Sequence, residues 1–141
     1  MNADPDCIFC KIIAGDIPSF RIFEDDRTLA FMDINPANAG HALAIPKFHT
    51  PNLHEIPADW LAATIATARK VARAQQAVLH PTGINLVQAN GPGAAQSVQH
   101  FHFHVLPRYE GDGELKVNWG LRPGEPEAIG KIAEQLASAF D

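Results

Sequence analysis

The chain of 141 residues lacks the features that mark several classes of protein. It has no run of the roughly 18 apolar residues that a membrane span needs, and its N-terminus, MNADPDCIFCK, has no apolar stretch after a basic start. It also lacks internal repeats and low-complexity tracts, which argues against a solenoid and against disorder. We therefore expect one cytoplasmic domain covering residues 1–141, with no membrane partner.

Positive charge is scarce as well. The chain has 11 Lys and Arg residues, scattered along its length, against 16 Asp and Glu, and its formal net charge is −5. Such a balance offers no basic surface for duplex nucleic acid. A small phosphorylated ligand remains compatible with it, because backbone amides and histidines bind a phosphate whatever the net charge. The composition thus argues against nucleic-acid partners and leaves nucleotides open.

Cysteine is limited to Cys7 and Cys10. The two lie too close in sequence to close a long disulfide loop, and the Cys-x-x-Cys spacing is typical of a metal site or of a redox pair. No βαβ pattern of the thioredoxin kind surrounds the pair, which argues against redox chemistry. A zinc site would need two further ligands from elsewhere in the chain.

Short apolar segments separated by turn residues predict the architecture. The predicted elements are a helix at 7–14, strands at 20–23, 29–34 and 41–45, a long helix from Pro57, strands at 84–88 and 98–106, and a helix from Pro126. Strands joined mostly by short connections predict an α+β fold, with an antiparallel sheet of about five strands, the long helix on one face and a C-terminal helix. Helical spacing predicts the buried side of the long helix to hold Leu61, Ile65, Ala68, Ala72 and Leu79, and the apolar side of the last helix to hold Ile129, Ile132, Ala133, Leu136 and Phe140.

Three histidines alternate within the last predicted strand. Side chains alternate between the faces of a strand, so His100, His102 and His104 should share one face, while the phenylalanines and valine between them pack on a helix. Three imidazoles in a row fit two chemistries, metal chelation and nucleophilic catalysis. The spacing alone does not separate them.

The sequence around these histidines resembles that of a known family. Residues 90–108, NGPGAAQSVQHFHFHVLPR, are similar to the signature of the histidine-triad (HIT) family, His-φ-His-φ-His-φ-φ preceded by Gln-Ser/Thr-Val, where φ is an apolar residue. The stretches at 8–18, 31–36 and 40–47 resemble the family's other motifs, in the family's order. The resemblance covers most of residues 7–108 and implies a HIT-like fold, a purine nucleotide as substrate and a homodimer.

The family's chemistry implies a role for each residue that matches its motif. His102 would attack the α-phosphorus of a nucleoside phosphoramidate or a dinucleoside polyphosphate, and water would hydrolyse the nucleotidyl-histidine intermediate. His104 and the turn that contains Gln96 and Ser97 would bind the phosphate oxygens, and Ser97 would pass a proton toward the leaving group. The family's hexose-phosphate transferases have Gln at the position of His104, so the third histidine favours a hydrolase over a nucleotidyl transferase.

Two other functions stay open from the sequence. The chain could be a nucleotide-binding regulatory protein with little turnover, although such a protein would not need a nucleophile at His102. It could also be a zinc hydrolase that uses all three histidines as ligands, in which case chelators would abolish turnover.

The resemblance also predicts where the nucleoside lies. Its pocket would be formed by Ile8, Phe9, Ile12, Phe31, Asp33, Ile34 and Asn90. Asp33 would accept hydrogen bonds from the ribose hydroxyls, and an acid within an otherwise apolar strand needs such a polar partner. Core packing is the competing explanation for the isoleucines.

One branch of the family carries the cysteine pair together with a histidine in Pro-Lys-x-His. Here that histidine is His49, and the first histidine of the triad, His100, would complete a closed Cys2His2 site with Cys7 and Cys10. The resemblance therefore implies a structural zinc ion and no organic cofactor. His54 and His80 are expected at the surface, and His41 is a candidate for supporting the site residues from behind, with no role assigned to it.

Overall fold

The computed structural model describes residues 2–113 and 123–140 and confirms the predicted α+β class. Its elements are α1 (Ile8–Ala14), β1 (Arg21–Glu24), β2 (Thr28–Met32), β3 (Ala42–Pro46), α2 (Ala58–Leu79), β4 (Gly83–Val87), β5 (Phe103–Arg108) and α3 (Pro126–Ala137). Among these residues, no helix combines the length and the apolar character that a membrane crossing needs.

The five strands form one sheet in the order β1-β2-β3-β5-β4, and every neighbouring pair is antiparallel. Strand β5 therefore lies between two partners. His104 pairs with Leu43 of β3 on one side and with Val87 of β4 on the other. A histidine in this position has its backbone fixed from both sides, so its side chain direction is well defined.

Helix α2 covers one face of the sheet and packs against β2, β3 and β5. The prediction for its buried side is partly wrong, because Ile65 and Leu79 are 46% and 40% exposed while Thr64, Thr67 and Gln75 are buried. Hydrogen bonds made by these side chains offset much of the cost of burying them. The Thr67 hydroxyl lies 2.6 Å from that of Thr28, and Gln75 donates to the carbonyls of Gly40 and Val105.

The histidine segment also departs from the prediction, since β5 begins at Phe103 and not at residue 98. The N–H of Phe101 donates to the carbonyl of Thr50 (2.7 Å), a loop residue, so this part of the chain is held outside the sheet ladder. The predicted alternation nevertheless survives. Phe101, Phe103 and Val105 belong to the core under α2, as expected, and His102 faces the other way.

Helix α1 covers part of the opposite face of the sheet. Cys7 precedes it as the N-cap residue, and Gly15 ends it with a φ of +85°. Phe9 and Ile12 are buried in a second cluster with Phe31 and Leu43 of the sheet. Because α1 is only two turns long, it leaves the neighbouring part of this face open.

The predicted C-terminal helix is present as α3, and its apolar side chains are exposed. Ile129, Ile132 and Leu136 are each more than half exposed, and Phe140 lies beyond the end of the helix.

Candidate functional site

A cavity of about 240 Å³ lies between α1, the end of β2 and the segment that leads into β5. It is lined by Ile8, Phe9, Ile12, Ile17, Pro18, Ser19, Phe31, Met32, Asp33, Ile34, Asn35, Leu43, Ser97, Val98, His102 and His104. Six of the seven residues predicted for the nucleoside pocket are therefore part of one cavity. The cavity combines a mainly apolar wall with a few polar side chains, the usual character of a small-molecule site.

Asn90 is the predicted pocket residue that does not line this cavity. Its side-chain amide exchanges two hydrogen bonds with that of Gln88, at 2.7 and 2.8 Å, and its oxygen also accepts from the N–H of Leu53. With these partners Asn90 joins two loops. The sequence around Asn90 does not reveal this role, because Leu53 lies 37 residues away in the chain.

His102 is buried at the cavity wall, and its hydrogen bond fixes the position of its proton. Its Nδ1 lies 2.7 Å from the carbonyl oxygen of His100. A carbonyl only accepts, so Nδ1 carries the hydrogen, and in the neutral ring the lone pair is on Nε2. Burial lowers the pKa of His102, opposed by this hydrogen bond and by Asp33. Phe9 contacts the ring edge to face, with the ring centres 5.3 Å apart.

His104 lines the same cavity, and its ring centre is 4.9 Å from that of His102. Burial, together with His102 and His41, lowers the pKa of His104 to about 4, against an opposing effect of Asp33. The imidazole is therefore neutral at physiological pH. Its Nδ1 lies 2.9 Å from Nε2 of His41.

His41 is the site residue to which the sequence analysis assigned no role. It is buried just before β3, and its Nε2 also lies 3.4 Å from a carboxylate oxygen of Asp33. Burial lowers its pKa, and Asp33 opposes that effect. The pairing of β3 with β5 brings His41 next to His104, and this pairing becomes visible only in the fold.

Gln96 and Ser97 differ in what their side chains reach. The amide of Gln96 is buried, donates to the carbonyls of Pro51 and Val98, and accepts from the N–H of Gly91. It thus holds the turn in place and does not line the cavity. The Ser97 side chain is exposed at the cavity, where a bound molecule would contact it.

A second group of side chains gathers behind α1. The ligand atoms of Cys7, Cys10, His49 and His100 all lie within 4.8 Å of one another. Nδ1 of His100 is 3.4 Å from Sγ of Cys7 and 3.6 Å from Sγ of Cys10, Nδ1 of His49 is 3.4 Å from Sγ of Cys10, and the two Nδ1 atoms are 3.3 Å apart. The residues predicted as metal ligands are thus brought together.

These separations match the edges of a metal tetrahedron. Zinc bonds of about 2.3 Å to sulfur and about 2.05 Å to nitrogen place tetrahedral S–N neighbours about 3.6 Å apart and N–N neighbours about 3.3 Å apart. The outer partners fit as well. Nε2 of His100 donates to the carbonyl of Pro46 (2.8 Å), which leaves its Nδ1 free to ligate, and Nε2 of His49 is 3.7 Å from Asp4.

His102 and His104 lie outside this cluster. In the described part of the chain, His104 instead groups with Asp33 and His41, and His102 joins neither set of possible ligands. One ion held by all three histidines, the third function left open by the sequence, is therefore not supported.

Comparison with known proteins agrees with the geometry. The model of the HIT domain matches residues 14–111. The chain belongs to the histidine-triad (HIT) family. The HIT protein named Protein hit of Bacillus subtilis (strain 168) is 46% identical over 140 residues, which cover 97% of this chain and 96% of that protein.

Other HIT relatives carry more specific names. A protein named adenosine 5'-monophosphoramidase from Saccharomyces cerevisiae is 38% identical over 138 residues, covering 98% of this chain and 85% of that one. Among solved structures, a zinc-bound histidine triad family protein from Mycobacterium smegmatis superposes with a TM-score of 0.75 at 38% identity, covering 96% of this chain and 98% of that chain. A HIT family protein from Bacillus subtilis gives a TM-score of 0.88 at 38% identity, with coverages of 96% and 98%.

Proposed function

We propose that this HIT protein is a nucleotide hydrolase that cleaves the α-phosphate linkage of nucleoside phosphoramidates or dinucleoside polyphosphates, with His102 as the nucleophile. The observation that carries the proposal is the bond from Nδ1 of His102 to the carbonyl of His100. It leaves the Nε2 lone pair of a buried, neutral imidazole as the reactive atom at a cavity of suitable composition. The names of the yeast relatives support the same class of reaction.

The proposed reaction has two steps, formation of a nucleotidyl-histidine and its hydrolysis. Nε2 of His102 forms a bond to the α-phosphorus while the bond to the leaving amine or phosphate breaks, and the leaving group takes up a proton. Water then attacks the nucleotidyl-histidine, the P–Nε2 bond breaks, a nucleoside monophosphate is released, and a proton of the water replaces the one that the leaving group took. The nearby hydroxyl of Ser97 is the proposed route for the proton to the leaving group.

The remaining cavity residues hold the substrate. His104 donates to a phosphate oxygen, where negative charge gathers in the transition state. Asp33 accepts from the ribose hydroxyls, and the apolar side chains of Ile8, Phe9 and Phe31 contact a purine base. Gln96 acts indirectly, because its bonds hold the turn that presents Ser97.

The Cys2His2 cluster fits structural zinc, as judged by the donor set and its separations. A zinc ion held by these four side chains would cross-link the chain and would have no position left for a reactive water. Cys7 and Cys10 flank Phe9, and His100 supplies the carbonyl that holds His102. The cluster would therefore help to fix His102 in two ways, through the contact with Phe9 and through the hydrogen bond to the carbonyl of His100.

The decisive experiment compares the wild-type protein with His102→Ala on adenosine phosphoramidate and on diadenosine polyphosphates, by chromatography of the released nucleotide. We expect turnover of at least one class by the wild type and none by the variant. With wild-type protein quenched in base, where the P–N bond to imidazole persists, mass spectrometry should detect one nucleotidyl group on the peptide that contains His102. Persistent turnover in the variant contradicts the nucleophile assignment, and tight nucleotide binding without turnover favours the regulatory alternative.

The homodimer expected from the family resemblance remains a prediction. Sedimentation equilibrium at several concentrations tests it.

A further inference from the structure

We propose that His41 is a positioning residue, which passes the hydrogen-bond polarity of the Ala37 backbone amide to His104 and so makes His104 a donor toward the cavity. The inference deepens the proposed hydrolase function and rests on it for its catalytic consequence. Its structural part, the location of one proton on His104, stands independently of any substrate.

The first link is the bond between Ala37 and His41. The backbone N–H of Ala37 donates to Nδ1 of His41 over 3.0 Å. An amide hydrogen only donates, so Nδ1 of His41 must carry a lone pair. The ring is then neutral and bears its hydrogen on Nε2.

The second link follows from the first. Nε2–H of His41 lies 2.9 Å from Nδ1 of His104 and 3.4 Å from a carboxylate oxygen of Asp33, so His104 is the nearer acceptor. Nδ1 of His104 accepts this bond and carries no hydrogen. The hydrogen of the neutral ring of His104 is consequently on Nε2, the atom left to face a ligand in the cavity.

The loop that supplies the Ala37 amide is held at several points. The side-chain amide of Asn38 donates to the carbonyl of Pro107, the hydroxyl of Tyr109 donates to that of Ala39, and Gln75 donates to that of Gly40. Such anchoring fixes the direction of the amide that begins the relay.

The two neighbouring imidazoles of His102 and His104 therefore carry their hydrogens on different ring nitrogens. His102 donates from Nδ1 to a backbone carbonyl and presents a lone pair on Nε2, whereas His104 accepts at Nδ1 and presents a hydrogen on Nε2. A nucleophile and a phosphate donor need these opposite states. In each case a backbone group determines the tautomer. The carbonyl of His100 acts directly on His102, and the amide of Ala37 acts on His104 through His41.

The test begins with unaltered protein. Long-range ¹H–¹⁵N correlation spectra of ¹⁵N-histidine-labelled protein at pH 8 report which ring nitrogen carries the hydrogen, and the His104 signals are assigned from their loss in His104→Gln. We expect His104 to carry its hydrogen on Nε2 and His102 on Nδ1. A hydrogen on Nδ1 of wild-type His104 overturns the proposal without any variant.

Two variants of His41 that are nearly isosteric with each other differ in whether the side chain can donate a hydrogen bond to His104. His41→Gln keeps a donor for His104 and should retain the Nε2 tautomer, whereas the ionised carboxylate of His41→Glu only accepts and should move the hydrogen to Nδ1. The predicted loss in kcat for His41→Glu is about 100- to 1000-fold, the range for removing one donor to a transition-state oxyanion, with KM changed much less. His41→Gln should recover most of that loss. His54→Glu makes the same charge change at an exposed histidine and should leave both tautomers unchanged.

The two proposals fail in different ways. An unchanged His104 tautomer in folded His41→Glu refutes the relay, whatever the enzyme does. Correct tautomers in a wild-type protein that hydrolyses neither class of nucleotide refute the proposed function and leave the relay standing.

Discussion

Removing the proposed zinc ion from the Cys2His2 cluster should destabilise the protein by an amount that depends on how far apart its ligands lie in the chain. The cluster joins α1 to a loop after β3 and to the segment before β5, and His49 and His100 are 51 residues apart. If the ion is treated as one cross-link, closing a loop of that length stabilises the fold by about 4 kcal/mol through the entropy of the unfolded chain. The second loop, from Cys10 to His49, adds to this, while metal binding by the unfolded cysteines subtracts from it.

This free energy translates into a measurable shift. With an unfolding entropy of about 2.1 cal/mol/K per residue, 1 kcal/mol shifts the Tm of a chain of 141 residues by about 3 °C. We therefore expect chelation to lower the Tm by at least about 10 °C in calorimetry, and added Zn²⁺ to restore it. Metal content is measured in parallel by atomic spectroscopy, with about one zinc per chain expected before chelation.

Variants separate the ion from the chelator. His49→Ala removes one ligand without altering His100, so it should reproduce the loss in Tm and make the protein insensitive to chelator. His54→Ala, at an exposed histidine five residues away, should behave as wild type. A Tm that changes by less than about 2 °C when the metal is demonstrably gone would refute the cross-link reasoning, and purified protein with less than about half a zinc per chain would refute the site itself.

Three further predictions concern the cavity and its support. Asp33→Asn should weaken nucleotide binding in calorimetry while the circular dichroism spectrum stays unchanged; equal affinity would remove Asp33 from the site. Gly40→Ala should lower the Tm by several degrees, because this residue has a φ of +92° and a Cβ would lie 2.6 Å from Leu79 and 2.9 Å from Pro107. Folding lowers the pKa of His104 to about 4, so the free energy of unfolding should be highest above the ordinary value of 6.5 and fall as the pH drops toward 4. Urea titrations at pH 8 and pH 5 should show a smaller fall for His104→Gln than for wild type, and equal falls would contradict this assignment.

Local sequence patterns predicted the order and type of the elements because each has a local cause. Gly15 ends α1, proline opens α3 at Pro126, and the polar residues between β1 and β2 allow only a turn. The buried side of α2 could not be predicted in the same way. Thr67 and Gln75 are buried because Thr28, Gly40 and Val105 supply partners from distant strands, and no periodicity within the helix reveals such partners.

In the candidate site too, local motifs were predictive and contacts between distant segments were not. The motif predicted which residues line the cavity and which could ligate a metal, and the structure brings both sets together. The motif did not predict that the side-chain amides of Asn90 and Gln96 would form hydrogen bonds that connect loops. Their partners belong to a loop about 40 residues earlier in the chain. The role of His41 was missed for a related reason. Its role depends on hydrogen bonds to a backbone amide four residues earlier and to the ring of His104, 63 residues later.

The three histidines of the motif thus owe their different chemistry to their surroundings. His100 donates from Nε2 to a carbonyl and leaves Nδ1 for the sulfur cluster, and His102 donates from Nδ1 to a carbonyl and leaves Nε2 for the cavity. The start of β5 at Phe103 makes this possible. In a regular strand the carbonyl of His100 would be committed to the ladder, whereas the irregular segment leaves it free to hold the proton of the next histidine but one. Extending the strand by three residues, to His100, would therefore remove the bond that orients the proposed nucleophile.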